Sequence, residues 1–89
     1  MSVIRNHRLK IKPEYFEDIV KGELTFQVRF NDRQFKKGDL LILEEFDSRG
    51  YTGRYINAEI TYVLDDYTLM REHYVCLGIK VRLDRGIVL

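Results

Sequence analysis

Four stretches of this chain alternate apolar and polar residues with a period of two, and that repetition limits the fold more than any other feature. Leu9 and Ile11 alternate with Arg8, Lys10 and Lys12, and Leu24, Phe26, Val28 and Phe30 alternate with Thr25, Gln27 and Arg29. Further on, Ile56, Ala58, Ile60, Tyr62 and Leu64 form one such set and Val75, Leu77, Ile79 and Val81 another. Period two is the signature of a strand with one buried face. Leu40-Leu41-Ile42-Leu43 is apolar on both faces, which predicts a central strand. Only the segment after Pro13 departs from the pattern. There Phe16, Ile19 and Val20 fall at i, i+3 and i+4, and Tyr15 borders the stripe they make. Pro13 suits a first helical position, Glu14, Glu17 and Asp18 sit where the helix dipole favours anions, and Lys21-Gly22 supplies the stop.

Turn chemistry separates these runs: Asn31-Asp32-Arg33, Lys37-Gly38-Asp39, Asp47-Ser48-Arg49-Gly50 and Asp65-Asp66-Tyr67. The expected fold is therefore α+β and mainly β, a curved sheet or partly closed barrel of about five mostly antiparallel strands with one helix near the N-terminus. Arg85 to Leu89 is expected to be a trailing strand or a loose tail. With 89 residues and no linker or repeat, residues 1–89 read as a single domain with one compact core. Phe35 is expected to tuck back into it as an anchor.

Charge narrows the function classes. Fifteen Lys and Arg face fourteen Asp and Glu, a net charge of +1, which excludes the strongly basic balance of a non-specific nucleic-acid coat. The distribution is uneven. Between Lys21 and Lys37 stand five cations, Lys21, Arg29, Arg33, Lys36 and Lys37, against Glu23 and Asp32 alone. Cys76 has no second cysteine to pair with, no apolar run approaches the ~20 residues of a membrane span, and Met1 to Ile11 lacks the apolar core of a signal peptide. A cytoplasmic protein without membrane association is expected. His73 and Cys76 lack zinc-ligand spacing, and there is no glycine-rich phosphate loop, so neither metal nor cofactor is expected.

The strand after the helix is the place for a site. On its polar side Thr25, Gln27 and Arg29 would share a wet face, where an amide can read a base edge and a guanidinium can hold a phosphate. Asn31 and Arg33 follow in a turn suited to an anion. His7 lies on the apolar side of the first strand, so it stands either at the open end of a core or in a pocket. Lys10 is its neighbour on that strand. Glu45 and the Tyr51-Thr52-Gly53-Arg54 hairpin would close the cleft from the far side, or form an ordinary cross-strand Glu–Arg pair.

Several short motifs in order carry a resemblance: His7-x-Leu9-Lys10, Pro13-Glu14-Tyr15-Phe16, Gly22-x-x-Thr25-Phe26-x-x-Arg29, Asn31-Asp32-Arg33-x-Phe35, Gly38-Asp39 and Tyr51-Thr52-Gly53-Arg54. From about His7 to Lys80 the chain resembles small ASCH domains of the PUA-like superfamily, common in bacteria and phages. The resemblance implies an ASCH-type pseudo-barrel with an inserted helix, a cleft beside the segment after the helix, and RNA or modified-nucleotide binding. Where such domains usually carry Lys and Glu after the helix glycine, this chain has Leu24 and Gln27. Members that hydrolyse N4-acylated cytidine look as though they need that lysine, a threonine at the position of Gln27 and a carboxylate. A binding domain rather than an enzyme is therefore expected, with RNA or a nucleotide-like ligand as partner and no catalytic residue. Two alternatives stay open: a nucleoside amidohydrolase with a rearranged site of Lys10, Thr25 and Glu45, and a phage or mobile-element protein-interaction module.

Overall fold

The computed structural model describes residues 3–82 and the backbone of Ile87–Val88. Its elements run β1 (Asn6–Ile11), α1 (Pro13–Val20), β2 (Phe26–Phe30), β3 (Leu40–Asp47), β4 (Gly50–Leu64), β5 (Tyr74–Val81) and β6 (Ile87–Val88). The strands form one sheet in the order β1-β3-β4-β5-β2, with β6 on the side of β4 at Tyr55 and Ile56. β1 and β3 are parallel and the other pairs antiparallel, which gives a mixed sheet of mainly antiparallel strands. The expected α+β, mainly β pseudo-barrel is what forms, as a half-barrel with one short helix. No helix among the described residues is long and apolar enough to cross a membrane.

α1 starts where Pro13 fixes a helical φ without needing an amide donor, and it ends at Gly22, whose φ of +79° lets its N–H reach Ile19 O at 3.0 Å. The stripe on α1 buries Phe16 and Ile19 fully, while Val20 stays exposed. Those two side chains meet Leu41 and Leu43 of β3, Ile56, Ala58 and Ile60 of β4, and Val75, Leu77 and Ile79 of β5 in one core. Each such buried aliphatic or aromatic side chain contributes about 1.5–3 kcal/mol of transfer free energy. Phe35 joins this core as expected, and β3 is central as its doubly apolar sequence requires. Of the trailing segment Arg85 to Leu89, only the two-residue strand β6 lies within the described residues.

Two strand faces depart from the alternation. On β4 the register slips between Ile60, opposite Ile79, and Tyr62, opposite Gly78. This bulge places one extra residue on β4, so Tyr62 turns outward, 63 % exposed, and Val63 packs against the core in its stead. On β2 the whole expectation is reversed. Phe26, Val28 and Phe30 are 49 %, 53 % and 51 % exposed, whereas Gln27 is buried and Arg29 half-buried on the inner face. The cause is the position of β2 at the end of the sheet. Its inner side chains meet the free edge of β1 rather than the centre of the core, and carbonyls on that edge need donors.

Candidate site at the seam of the half-barrel

Curling brings the two end strands, β1 and β2, face to face without a backbone ladder between them. In its place two guanidinium groups cross the gap. Arg29 Nη2 donates to Lys10 O at 2.9 Å and to Gln27 Oε1 at 3.1 Å, and Arg33 Nη1 donates to Arg8 O at 2.6 Å. Arg8 and Lys10 are two residues apart on a strand, so both carbonyls point off the same free edge. Gln27 completes the seam by donating from Nε2 to Phe26 O at 2.9 Å. Asn31 sets the angle of the approach: its Oδ1 accepts the Phe35 N–H at 3.1 Å, closing the loop that presents Arg33 and returns Phe35 to the core.

Above the seam opens a cleft of about 350 Å³ lined by Arg8, Leu9, Lys10, Arg29, Phe30, Asp32, Arg33, Phe35, Glu44 and Tyr51. A smaller hollow of about 230 Å³ continues along the seam past Lys10, Gln27 and Arg29 to Tyr15. Lys10 lays its ammonium over the Phe46 ring at 4.4 Å and near the Tyr51 ring at 5.8 Å, and those two rings meet edge to face at 5.0 Å. Burial, and secondarily the nearby charge of Arg33, pulls the Arg29 pKa below its ordinary value. Its Nε is closed off from solvent and has no hydrogen-bond partner.

The remaining expected site residues are held in two closed clusters. At one end His7 Nε2 and Asp39 Oδ2 lie 2.9 Å apart, both buried, with the His7 ring edge-on to Phe35 at 4.8 Å. Asp39 also accepts the N–H groups of Arg5 and Lys36, each at 3.2 Å. Burial pushes the Asp39 pKa up, but hydrogen bonds from His7, Arg5 and Lys36 together outweigh it and hold the carboxyl below its ordinary value. At the other end a second bulge sets Thr52-Gly53-Arg54 of β4 against Glu45 of β3. Arg54 donates to Glu45 through Nε at 2.8 Å and Nη2 at 2.5 Å, and to Glu17 of α1 at 2.7 Å, while Thr52 Oγ1 donates to Glu45 at 2.7 Å. The Arg54 hydrogen bond depresses the Glu45 pKa against an opposing push from burial, and Glu45 followed by Glu17 raises that of Arg54. The cross-strand Glu–Arg pair is thus formed, and Arg54 stacks over Phe16 at 4.7 Å.

Of the nine residues singled out by sequence, Lys10, Gln27, Arg29 and Arg33 gather along the seam, with Asn31 shaping the loop beneath it. His7 belongs to the Asp39 cluster, and Glu45 and Arg54 to the other. Thr25 is exposed just before β2, its carbonyl accepting the Ile79 N–H. The shared wet face of Thr25, Gln27 and Arg29 does not form, because Gln27 and Arg29 turn inward. Sequence reasoning assigned no site role to Asp39 and Glu17, which anchor the closed clusters, or to Arg8 and Phe30, which line the cleft, whereas Tyr51, expected with its hairpin to close the cleft from the far side, does line it. A lone His on the apolar side of a strand was the available signal for Asp39, since a buried imidazole requires a polar partner.

A half-barrel with a basic, aromatic-rimmed cleft where its end strands meet is the class of molecule these features define. Residues 6–79 match the model of the family described as Domain of unknown function (DUF3850), and the chain belongs to that family. It is also 36 % identical over 70 residues to an uncharacterized 12.9 kDa protein in the GpA 3′ region of Escherichia phage P2. That match covers 72 % of this chain and 64 % of the phage protein.

Proposed function

We propose that this chain is a small RNA- or nucleotide-binding domain of PUA-like type, and that its ligand enters the cleft at the β1–β2 seam. One observation carries this reading: Arg8, Lys10, Arg29 and Arg33 line a single open cleft whose wall also holds the exposed rings of Phe30 and Tyr51. Guanidinium and ammonium groups bind phosphate, and aromatic rings on a sheet stack unpaired bases, which is the usual chemistry of single-strand RNA recognition. The resemblance to ASCH domains supports the same reading. The test is titration of short single-stranded RNAs and a nucleotide panel at two salt concentrations, with Lys10→Gln and Tyr51→Ala beside the wild type. Salt-sensitive binding weakened by both variants is the expected result. Absence of binding to every member of the panel, or variants that bind as well as wild type, overturns it.

The amidohydrolase alternative draws less support from the geometry, because Glu45 is fully engaged by Arg54 and Thr52, and Thr25 stands outside the seam. The interaction-module alternative has an observation of its own, the outward strip of Phe26, Val28, Phe30 and Tyr62. Contiguous apolar exposure of this kind marks contact surfaces in soluble proteins. Sedimentation velocity over a wide concentration range tests self-association through it; a monomer throughout, unchanged by Val28→Thr, counts against a homotypic contact.

A further inference from the structure

Charge in the seam cleft does not cancel. Four cations line it, Arg8, Lys10, Arg29 and Arg33, against the carboxylates of Glu44 and Asp32. Each carboxylate already has a partner: Arg8 Nη1 lies 3.4 Å from Glu44 Oε1, and Arg33 Nε lies 3.7 Å from Asp32 Oδ1. Lys10 and Arg29 have no carboxylate partner among the described residues. Lys10 rests on aromatic faces, and Arg29 is held by one backbone carbonyl and one amide oxygen, all of them neutral groups. Two positive charges are therefore left over in a partly enclosed space. Uncompensated like charges in such a space are unfavourable, and an anion that enters it relieves them.

Size and geometry limit that anion. A volume of about 350 Å³ stands near the lower end of small-ligand pockets, which is room for roughly one nucleotide. Arg29 and Arg33 are both tethered by carbonyls on the same free edge of β1, so their positions are set before any ligand arrives and little ordering is left for binding. A phosphodiester in the middle of a strand brings one negative charge, whereas a phosphate monoester brings about 1.5 to 2 at neutral pH. The surplus of two matches the monoester.

We infer that the seam cleft is a site for a phosphate monoester attached to a nucleoside, with Arg29 and Lys10 supplying the uncompensated charge and Tyr51 or Phe30 a face for the base. This rests on the nucleotide-binding reading above and deepens it by naming the chemical group selected. A free mononucleotide and the phosphorylated end of a strand both present that group. The interior of a strand does not.

The experiment compares one short single-stranded RNA in three forms, 5′-phosphorylated, 3′-phosphorylated and with hydroxyls at both ends, together with adenosine and its 5′-monophosphate. Affinities for the full chain are read by calorimetry. At least one phosphorylated form is expected to bind about tenfold or more tightly than its hydroxyl counterpart, the equivalent of one charge-assisted hydrogen bond. Lys10→Gln is expected to shrink that ratio; its side chain is solvent-exposed, so the fold does not depend on it. Arg29→Gln is expected to remove the ratio, and Arg29→Lys to restore part of it. A monophosphate that binds as tightly as the phosphorylated strand identifies a free nucleotide as the source, and a preference seen only with strands identifies a strand end. Equal affinity for all three RNA forms overturns the monoester inference while leaving RNA binding intact. No binding by any probe overturns both.

Discussion

The two closed polar clusters and the open seam partner their charges in opposite ways. Asp39 gathers His7 and two backbone N–H groups, and Glu45 gathers Arg54 twice and Thr52, so each carboxylate sits inside a set of donors that belongs to the protein. At the seam the cations Lys10 and Arg29 are held only by neutral groups. Polar groups withdrawn from water persist when the fold itself satisfies them, and the closed clusters obey that rule. What distinguishes the seam is an unmet demand for negative charge. The contrast separates residues that chemistry alone would group together: His7, Glu45 and Arg54 are as polar as Arg29, but their partners are already in place.

The comparison is tested most severely at Asp39. Replacing it with Ala leaves His7 and two backbone donors without an acceptor in a buried site, and the expected loss is about 3 kcal/mol, read as a lower midpoint in urea unfolding. Its pH dependence has a definite sign. Asp39 and Glu45 both have folded-state pKa values below the ordinary carboxylate values near 4, so their contribution is complete above those values and disappears as pH falls through the depressed ones. Wild-type melting temperature should accordingly drop steeply below about pH 4, and Asp39→Asn should flatten that drop. A variant that unfolds with the wild-type profile would show that the cluster does not stabilise the fold.

Much of this architecture was legible because its signals are local. Pro13 and Gly22 bracket the helix, Val75, Leu77 and Ile79 keep the inward phase that their alternation announces, and Phe35 returns to the core from a turn that must end somewhere. Two things were not legible. Alternation gives the phase of a strand but not which phase faces water, and β2 illustrates this: the inner side of an end strand meets a rim of carbonyls, so Gln27 and Arg29 are inside and Phe26, Val28 and Phe30 outside. Nor does alternation reveal bulges, one of which turns Tyr62 outward while another brings Arg54 onto Glu45. The site residues share this limit. Arg29 and Arg33 stood out by composition, but only the curl of the sheet puts them across from Arg8 and Lys10.

A smaller effect is expected at the seam itself. Arg29→Met removes hydrogen bonds to Lys10 O and Gln27 Oε1, yet it also removes an uncompensated positive charge from beside Arg33. The two changes oppose one another, so stability without ligand should move by no more than about 1 kcal/mol in either direction. Chemical denaturation gives the number, and a loss comparable to that of Asp39→Ala would mean that Arg29 is a structural staple first. Hydrogen exchange adds an independent view. If the guanidinium groups hold the edge of β1, amides of that strand should exchange faster in Arg33→Ala, where a bond is lost with less charge relief to offset it.

The smallest effect is predicted on the outer face of β2, where the inversion can be measured directly. Val28 is half exposed, and threonine matches its shape and strand preference while adding a hydroxyl that water can satisfy. Val28→Thr should change unfolding free energy by about 0.5 kcal/mol or less, as surface substitutions do. Leu77, one position from Cys76, the cross-strand partner of Val28, is fully buried, and Leu77→Ala should cost about 3 kcal/mol. The pair of substitutions on adjoining strands decides which face of β2 is dry. If Val28→Thr proved as costly as the core truncation, Phe26, Val28 and Phe30 would have to be covered in solution, and the strip would be an interface rather than a by-product of turning the arginines inward.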